Sequence, residues 1–543
     1  MKLKSYAKIN LTLDILGKRD DGFHDIETVF QQISLFDEIE LVRLDSDRIK
    51  LECSARELEN EDNIAYRAAS LLKAKFNVEK GVEIKLKKNI PVGAGLSGGS
   101  SNAAAVLKGL NVLWGLKLPK KKLASLGKEI GMDVPFHILG GTCIGKGRGE
   151  KVEKLKDLEK HYAVLVYPGI HVSTKEAYSA LDYSKTGKSN SSEKFIKDYD
   201  LQYLHNDFEF SSSSKYSGLE KIRKELGPDS LLTGSGSSVF GLFLEEEKAE
   251  EIYEKAKQKY PKAYLSSTLN KKIELAHEMG FCFGVKRAID EINKLDKTKG
   301  VYVLGNLINN PTVVKELEEQ GVSMIDAYRG IDKGIIVITA HGIKDSRIQD
   351  IKSKGLKVID LTCPLVKKVH EITKKEEKKG RKILIFGDEE HTEVKGIAGN
   401  LHNYSIISDI QNIDKQDLEC STVVSQTTRS VEKFSEISNA LKKRGKDIRV
   451  IDTICAATKN RQESAIALAK KSHIMIVIGG KISSNTKRLK ETCSQYCETR
   501  HIETEKEIRS EWFFDKENIG ITAGASTPDR IISKVVQRIE NVI

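Results

Sequence analysis

Three cysteines in the second half of the chain recur in one pattern, and the pattern restricts what that half can fold into. Cys282 lies in GFCFGVKRA, Cys363 in LTCPLVKKV and Cys455 in TICAATKNR. A Lys follows each by four residues, at Lys286, Lys367 and Lys459. Two copies share a lead-in, VIDLTC from Val358 and VIDTIC from Val450. Each Cys follows an apolar run and opens a stretch of helical character. Three such units, with cysteines 81 and 92 residues apart, point to a three-part α/β domain whose parts meet at one soft-metal site. A thiol at a helix N-terminus beside a Lys is expected to shift toward thiolate, the metal-binding form. Closed zinc and iron–sulfur sites normally take four protein ligands, so three leave one metal position free for substrate. Three core cysteines are the plain alternative, since free Cys is a common small core residue. The repeated motif weighs against it.

The same half carries three continuous apolar runs that end in polar residues: GIIVITAHG, KILIFGDEEHTEV and HIMIVIGGKISSN. Strand runs that alternate with helical segments imply parallel sheets, whose strand ends carry ligands. The polar ends supply His341, then His391 and Glu393, then Ser483, Ser484 and Asn485. They belong to the three parts that hold the cysteines, so a convergent pocket is expected. The other five cysteines, Cys53, Cys143, Cys420, Cys493 and Cys497, lack the Cys-to-Lys repeat. Cys493 and Cys497 are the main competitors, because an i, i+4 pair shares one helix face.

At 543 residues the chain is too long for one ordinary domain. A boundary is expected near residues 266–272, where a strand, an exposed helix and AYLSSTLN close one unit and IELAH opens another. That divides the chain into 1–268 and 273–543. No stretch approaches 18 uninterrupted apolar residues, so no membrane span is expected, and no cleavable leader is read at the N-terminus. Eight cysteines without a dense disulfide framework suit a reducing cytoplasm. The net charge of +11 permits nucleic-acid binding, but Lys is spread along the chain with no arginine-rich arm or zinc-finger spacing. Small polyanionic substrates or a solvated lysine surface explain it equally well. Two Ser- and Lys-rich stretches, 186–194 and 211–218, read as surface loops.

The first unit contains IPVGAGLSGGSSNAAAVLKGL, from Ile90 to Leu110. Gly93, Gly95, Gly98 and Gly99 let backbone N–H groups approach a ligand closely, and Ser100 and Ser101 open a helix whose N-terminus favours an anion. This is a phosphate cradle, though not a GxxxxGK[ST] loop. Lys8, at the start of the first strand, and Asp133, in GMDVPF between a helix and a strand, are candidates to complete a phosphoryl-transfer site. Such a site needs the hydroxyl's proton accepted and the developing phosphate charge neutralised.

With the late TGSGSS loop (Thr233 to Ser238), residues 1 to about 268 resemble the GHMP kinase superfamily, a two-lobed α+β fold. AKINLTLDILGKRDDGFHDIETVF is similar to the diphosphocytidyl-methylerythritol kinases of the non-mevalonate isoprenoid pathway. The resemblance implies ATP with Mg2+ as cosubstrate and Lys8 and Asp133 as catalytic residues. The implied ATP loop is Pro91, Val92, Gly93, Ala94, Gly95, Leu96, Ser97, Gly98, Gly99, Ser100 and Ser101. Asn10, Phe23 and His24 are implied near the cytidine and erythritol ends of the substrate. Phe23 stands where the family often has Tyr; stacking on a base survives that change and a hydroxyl contact does not.

Residues from about 273 to 543 resemble hydroxymethylbutenyl diphosphate reductase through GFCFGV, TAHG, TCPLVKKVH, HTEVKG, SQTTRS, ICAATKNRQ, KISSNTKRL and TAGASTPD. This implies a three-subdomain α/β iron–sulfur fold, in which Cys282, Cys363 and Cys455 hold a 4Fe-4S cluster with one open iron. It further implies that His341, His391, Thr427, Ser483, Ser484, Asn485 and Ser526 surround the substrate diphosphate, and that Glu393 relays protons. An electron donor such as ferredoxin or flavodoxin is implied as partner. Asn309, in GNLINNPTVV, stands where the family usually shows His, so diphosphate affinity or proton delivery is expected to differ. The whole chain then reads as a bifunctional cytoplasmic enzyme of isoprenoid precursor synthesis, with no nucleic-acid or membrane partner. The rival readings are an iron–sulfur redox sensor or nucleic-acid-binding regulator with a vestigial kinase fold, and a zinc-bound structural protein.

Overall fold

The structure is a computed structural model that describes residues 1–211, 216, 218–305, 307–308, 310–411 and 418–542. Asn309 and most of the 211–218 stretch lie outside the described residues. The chain forms two compact units. One is Met1–Lys271 with Ser510–Glu517 and Asn541–Ile543; the other is Lys272–Arg509 with Asn518–Glu540.

The spine of the first unit is an antiparallel pair, Lys2–Lys18 with His24–Leu44, inside a seven-stranded sheet. Side chains alternate along the first strand. Ala7, Ile9 and Leu11 are buried in one apolar core, and the intervening Lys8, Asn10 and Thr12, with Asp14 beyond them, are buried as well. A polar face can be buried only where its groups find partners. Lys8 therefore sits inside this strand, not at its start. Register shifts fall between Tyr6 and Lys8 and between Asn10 and Thr12. Irregularities of this kind re-aim side chains, and these two bracket Lys8 and Asn10. A second, antiparallel sheet runs in the order Ala263–Ser267, Tyr162–Val166, Val239–Phe243, Ser230–Leu232. The helix Gly98–Leu113 packs Ala103, Ala104, Val106, Leu107 and Leu110 into a core with Leu41, Leu72 and Ile84.

Three local expectations change. The helix after the Gly-rich loop begins at Gly98, so Ser100 and Ser101 occupy its first turn. Asp133 caps a short helix, Val134–Leu139, and does not lead into a strand. The 186–194 stretch is not a plain surface loop: Ser191–Asp198 is a helix with Ser191 and Ser192 buried. The cause is Asp14, whose carboxylate accepts from the Ser189 hydroxyl, from Ser191 N–H (3.3 Å), and from Ser192 N–H (2.9 Å) and Oγ–H (2.8 Å). Small hydroxyl residues that look like loop composition are here the partners of a buried charge.

The second unit holds three separate four-stranded sheets, all parallel. The first runs Lys272–Leu275, Asn518–Ala523, Ile474–Ile478, Glu498–Ile502. The second runs Val322–Ile325, Val301–Leu304, Ile335–Ile338, Lys357–Asp360. The third runs Tyr404–Ile407, Lys382–Phe386, Cys420–Ser425, Asp447–Val450. The strands Ile335–Ile338 and Ile474–Ile478 are buried along their whole length, as a sheet covered on both faces requires. No helix among the described residues is long and apolar enough to cross a membrane.

Candidate active sites

In the first unit, Asn10 organises a small polar centre. Its Oδ1 accepts from Lys8 Nζ, from Gly234 N–H (2.9 Å) and from Thr233 Oγ1 (3.3 Å). Its Nδ2 donates to Thr28 Oγ1 at 2.8 Å. Lys8 N–H donates to Leu96 O at 3.2 Å, which ties the strand to the Gly-rich loop. The two glycine loops touch: a Cβ on Gly95, at φ +78°, would lie 2.3 Å from the Thr233 carbonyl. Only glycine fits there. Lys8 is almost wholly buried. Burial pulls its pKa below the usual lysine value, and the neighbouring Asp133 charge opposes that fall. Lys8, Asn10, Asp133 and the two loops thus converge. Ser101 belongs to the framework, since its Oγ donates to Tyr6 O at 2.6 Å and accepts from Ser5 Oγ.

Two elements of this centre were not legible in the sequence motifs. Asp37 is fully buried, and its Oδ1 accepts from Asn89 N–H (2.7 Å) and Ile90 N–H (2.8 Å). Its Oδ2 accepts from Lys88 Nζ and from Asn102 Nδ2. This pair anchors both the entry of the Gly-rich loop and the helix that follows. The second is aromatic. His24 stacks on Tyr178 with ring centroids 4.1 Å apart and planes 6° apart, and its Nε2 lies 2.7 Å from the Tyr183 hydroxyl. Phe23 is half exposed and lies under the Arg148 guanidinium, 4.4 Å from the ring centroid.

In the second unit each repeat cysteine caps a helix: Cys282 before Phe283–Asn293, Cys363 before Pro364–Glu377, Cys455 before Ala456–Ala469. The same bond holds all three. Cys282 N–H donates to Ala525 O (3.2 Å), Cys363 N–H to Ala340 O (3.0 Å) and Cys455 N–H to Thr427 O (3.0 Å). Each acceptor lies in a loop after a buried strand of a different sheet. Two of the three repeated lysines are paired with acids rather than thiols. Lys367 pairs with Asp360 at 2.6 Å, and Lys459 pairs with Asp452. Both acids belong to the VID lead-in, so in the Cys363 and Cys455 copies the repeat is an Asp–Lys clasp around the strand-to-helix turn. Burial pushes the Cys363 thiol up, against the pull of the Leu365 and Val366 N–H groups.

The three cysteines line one cavity of about 120 Å³ with His341, His391, Glu393, Thr427, Ser483, Ser484, Asn485 and Ser526. Glu393 is buried, and its two oxygens accept from Thr427 N–H (2.7 Å) and Thr427 Oγ1–H (2.8 Å). Burial outweighs both bonds and raises its pKa to about 7. His391 caps the helix Thr392–Ala398, its Nδ1 accepting from Glu393 N–H at 3.2 Å. A neutral ring then carries its proton on Nε2, which faces Ser484 Oγ at 3.5 Å. Burial, helped by His391, lowers His341 to about 4, so it is neutral near pH 7. Ser483 caps the helix Ser484–Cys493, a start that favours anions. Asn310, which sequence reasoning passed over, fixes Ser526 by donating from Nδ2 to its carbonyl at 2.8 Å. Cys493 packs away from the cavity among Leu489, Met475 and Val477.

Family profiles match both halves: the GHMP kinase N-terminal domain over residues 63–141, the GHMP kinase C-terminal domain over 199–262, and the LytB protein over 273–540. The 4-diphosphocytidyl-2-C-methyl-D-erythritol kinase of Clostridium tetani is 43% identical over 281 residues, covering 50% of this chain and 100% of that protein. The 4-hydroxy-3-methylbut-2-enyl diphosphate reductase of Nautilia profundicola is 39% identical over 276 residues, covering 50% of this chain and 99% of that one. The chain belongs to both families. Among solved structures, the E-1-hydroxy-2-methyl-but-2-enyl-4-diphosphate reductase of Plasmodium falciparum is 31% identical over 49% of this chain and 87% of its own, with a TM-score of 0.48.

The kinase family implies ATP, and the reductase family implies an iron–sulfur cluster. The cavity of the reductase half fits such a group. Among the described residues no three His, Cys, Asp or Glu side chains sit close enough to hold a single ion. A cluster instead binds each thiolate through a different iron, so its ligands stand further apart. Around the cavity, His341 Nδ1, Arg461 Nε, Asn485 Nδ2 and Ser526 Oγ are buried without a protein partner. Buried polar groups left open in this way mark a place for a polar guest.

Proposed function

We propose that this one chain carries two catalytic sites of isoprenoid precursor synthesis, a kinase within residues 1–268 and a reductase within residues 273–543. The kinase transfers the γ-phosphoryl group of Mg2+-bound ATP to the 2-hydroxyl of diphosphocytidyl-methylerythritol. The loop from Pro91 to Ser101 offers its N–H groups to the phosphates, which the Asp37 anchor supports. Asp133 accepts the hydroxyl proton as the oxygen attacks phosphorus. Lys8, held by Asn10, neutralises charge that builds on the transferring group. Phe23 and His24 serve the cytidine end.

The reductase removes the hydroxyl of hydroxymethylbutenyl diphosphate as water, taking up two electrons and two protons and yielding isopentenyl and dimethylallyl diphosphate. Cys282, Cys363 and Cys455 would hold a 4Fe-4S cluster that supplies the electrons and a Lewis-acidic iron for the departing oxygen. The remaining chemistry belongs to the chain. Burial raises the Glu393 pKa to about 7, which lets it keep a proton near neutral pH, and that proton goes to the leaving hydroxyl. Thr427 aims the carboxyl. His391 Nε2–H, neutral His341, Ser483, Ser484, Asn485 and Ser526 hold the diphosphate, whose charge suits the helix start at Ser484. A redox sensor would have no use for this set of open polar groups. We assign the electron donor to the ferredoxin or flavodoxin class and the protein to the cytoplasm.

The observation that carries the reading is the threefold Cys N–H to strand-loop bond around a cavity that also holds Glu393. The test is iron and sulfide content, with visible absorbance, on anaerobically reconstituted protein. Cys363→Ser is expected to lose the cluster and Cys493→Ser to keep it. The opposite pattern would overturn the ligand assignment.

A further inference from the structure

Arg461 lies in the ICAATKNRQ motif, six residues after Cys455, and is 3% exposed. It is the sole Lys or Arg among the described residues that line the cysteine cavity. Its Nη2 donates to Gly280 O at 2.9 Å, two residues before Cys282. Its Nη1 donates to Ala457 O at 3.2 Å, in the first turn of the helix that Cys455 caps. One guanidinium therefore joins the turn that presents Cys282 to the helix that presents Cys455. Its Nε is buried with no protein partner. The negative groups that act on it are Cys282 and Cys455, then Glu278. A buried cation without a paired carboxylate is costly unless an anion sits beside it. Glu278 acts on the Arg461 charge less strongly than Cys282 and Cys455 do, so thiolates around a metal–sulfur core would supply the larger counter-charge.

We propose that Arg461 is a positioning and charge-compensating residue for the redox centre: it holds the Cys282 turn against the Cys455 helix and raises the reduction potential of the group bound there. This rests on the cluster reading above. Reduction adds negative charge, and a fixed cation favours the reduced form over the oxidised one. Removing the cation moves the equilibrium toward the oxidised form.

The experiment is a redox titration of the full-length chain after anaerobic reconstitution, monitored by electron paramagnetic resonance, for the native protein, Arg461→Gln and Arg461→Lys. Gln carries no charge and is too short to reach the Gly280 carbonyl, while Lys keeps the charge and loses the fork, so both variants give up the tie and only Gln gives up the charge. Arg461→Gln is expected to shift the reduction equilibrium about tenfold toward the oxidised form, about 59 mV for a one-electron couple. Arg461→Lys is expected to stay within about threefold of native, on the same electrostatic ground. A cluster kept by Arg461→Lys and lost from Arg461→Gln would also count for the charge role. Equal potentials for native and Arg461→Gln would overturn it, as would loss of the cluster from both variants, which would leave a purely structural role. A native chain that takes up no cluster would instead defeat the cluster reading itself.

Discussion

Glu393→Gln is expected to stabilise the reductase half at alkaline pH while it abolishes reduction. In the open chain this carboxyl has an ordinary pKa of 4.5; in the fold burial raises it to about 7. Between those values the folded chain holds a proton that the unfolded chain has released. The stability from neutral Glu393 is complete below pH 4.5, falls as pH rises through the window, and is gone above about 7. At ~1.4 kcal/mol per decade, the full window is worth ~3 kcal/mol. Gln avoids this loss and can keep both bonds, its oxygen accepting from Thr427 N–H and its amide donating to Thr427 Oγ1. The advantage of the variant should therefore grow by ~2 kcal/mol between roughly pH 5.5 and pH 8. That corresponds to roughly 4–8 °C in Tm for a unit of this size. Reductive turnover should fall at least about 10²-fold, the low end for loss of an acid–base group. Thermal melts of the native chain and the variant at both pH values, followed on the reductase transition, give the comparison. A Tm difference that does not change with pH would show that Glu393 does not titrate near neutrality, and the protonation argument would fall.

Asp37→Asn leaves the buried Lys88 without its counter-charge. It should cost ~3–5 kcal/mol in denaturant unfolding of the kinase half; a loss below about 1 kcal/mol would show that the pair does not anchor the Gly-rich loop. Tyr178→Ala removes the ring on which His24 stacks, and should raise KM for the cytidine-bearing substrate about two- to tenfold with KM for ATP unchanged. A rise confined to ATP would place the stack elsewhere in the site. Because Lys367 is committed to Asp360, Lys367→Gln should leave the alkylation rate of Cys363 in the metal-free protein within about twofold of native. A tenfold drop would restore the lysine as the activator of the thiol.

What the sequence revealed and what it hid divide along physical lines. The helix starts at Cys282, Cys363 and Cys455 and the buried strands before the polar loops were legible, because they depend on local periodicity and short-range caps. The convergence of His341, His391, Glu393 and Ser483–Asn485 followed from parallel-sheet topology, which puts strand ends on one side. Contacts between distant segments were not legible. Asp14 turned a Ser-rich stretch into a buried helix start from more than a hundred residues away, and Asp37 joined Lys88, Ile90 and Asn102 in one knot. For Lys367 and Lys459 the role was legible in the sequence as an acid partner. The Asp-to-Lys spacing of seven is the same at Asp360–Lys367 and Asp452–Lys459, and it signalled a clasp. Arg461 lay inside the quoted ICAATKNRQ segment without a role, and Tyr178 lay in none, since the importance of both lies in what they touch.

The central claim is that one chain holds two catalytic sites, each dependent on its own residues. The most direct measurement assays a single anaerobic, cluster-reconstituted preparation of the full chain for ATP-dependent phosphorylation of diphosphocytidyl-methylerythritol and for reduction of hydroxymethylbutenyl diphosphate, beside Asp133→Asn and Cys363→Ser. The native chain should perform both reactions. Asp133→Asn should lose phosphorylation at least about 10²-fold and retain reduction, and Cys363→Ser should do the reverse. A native chain that lacks either activity, or a substitution in one half that abolishes both, would contradict it.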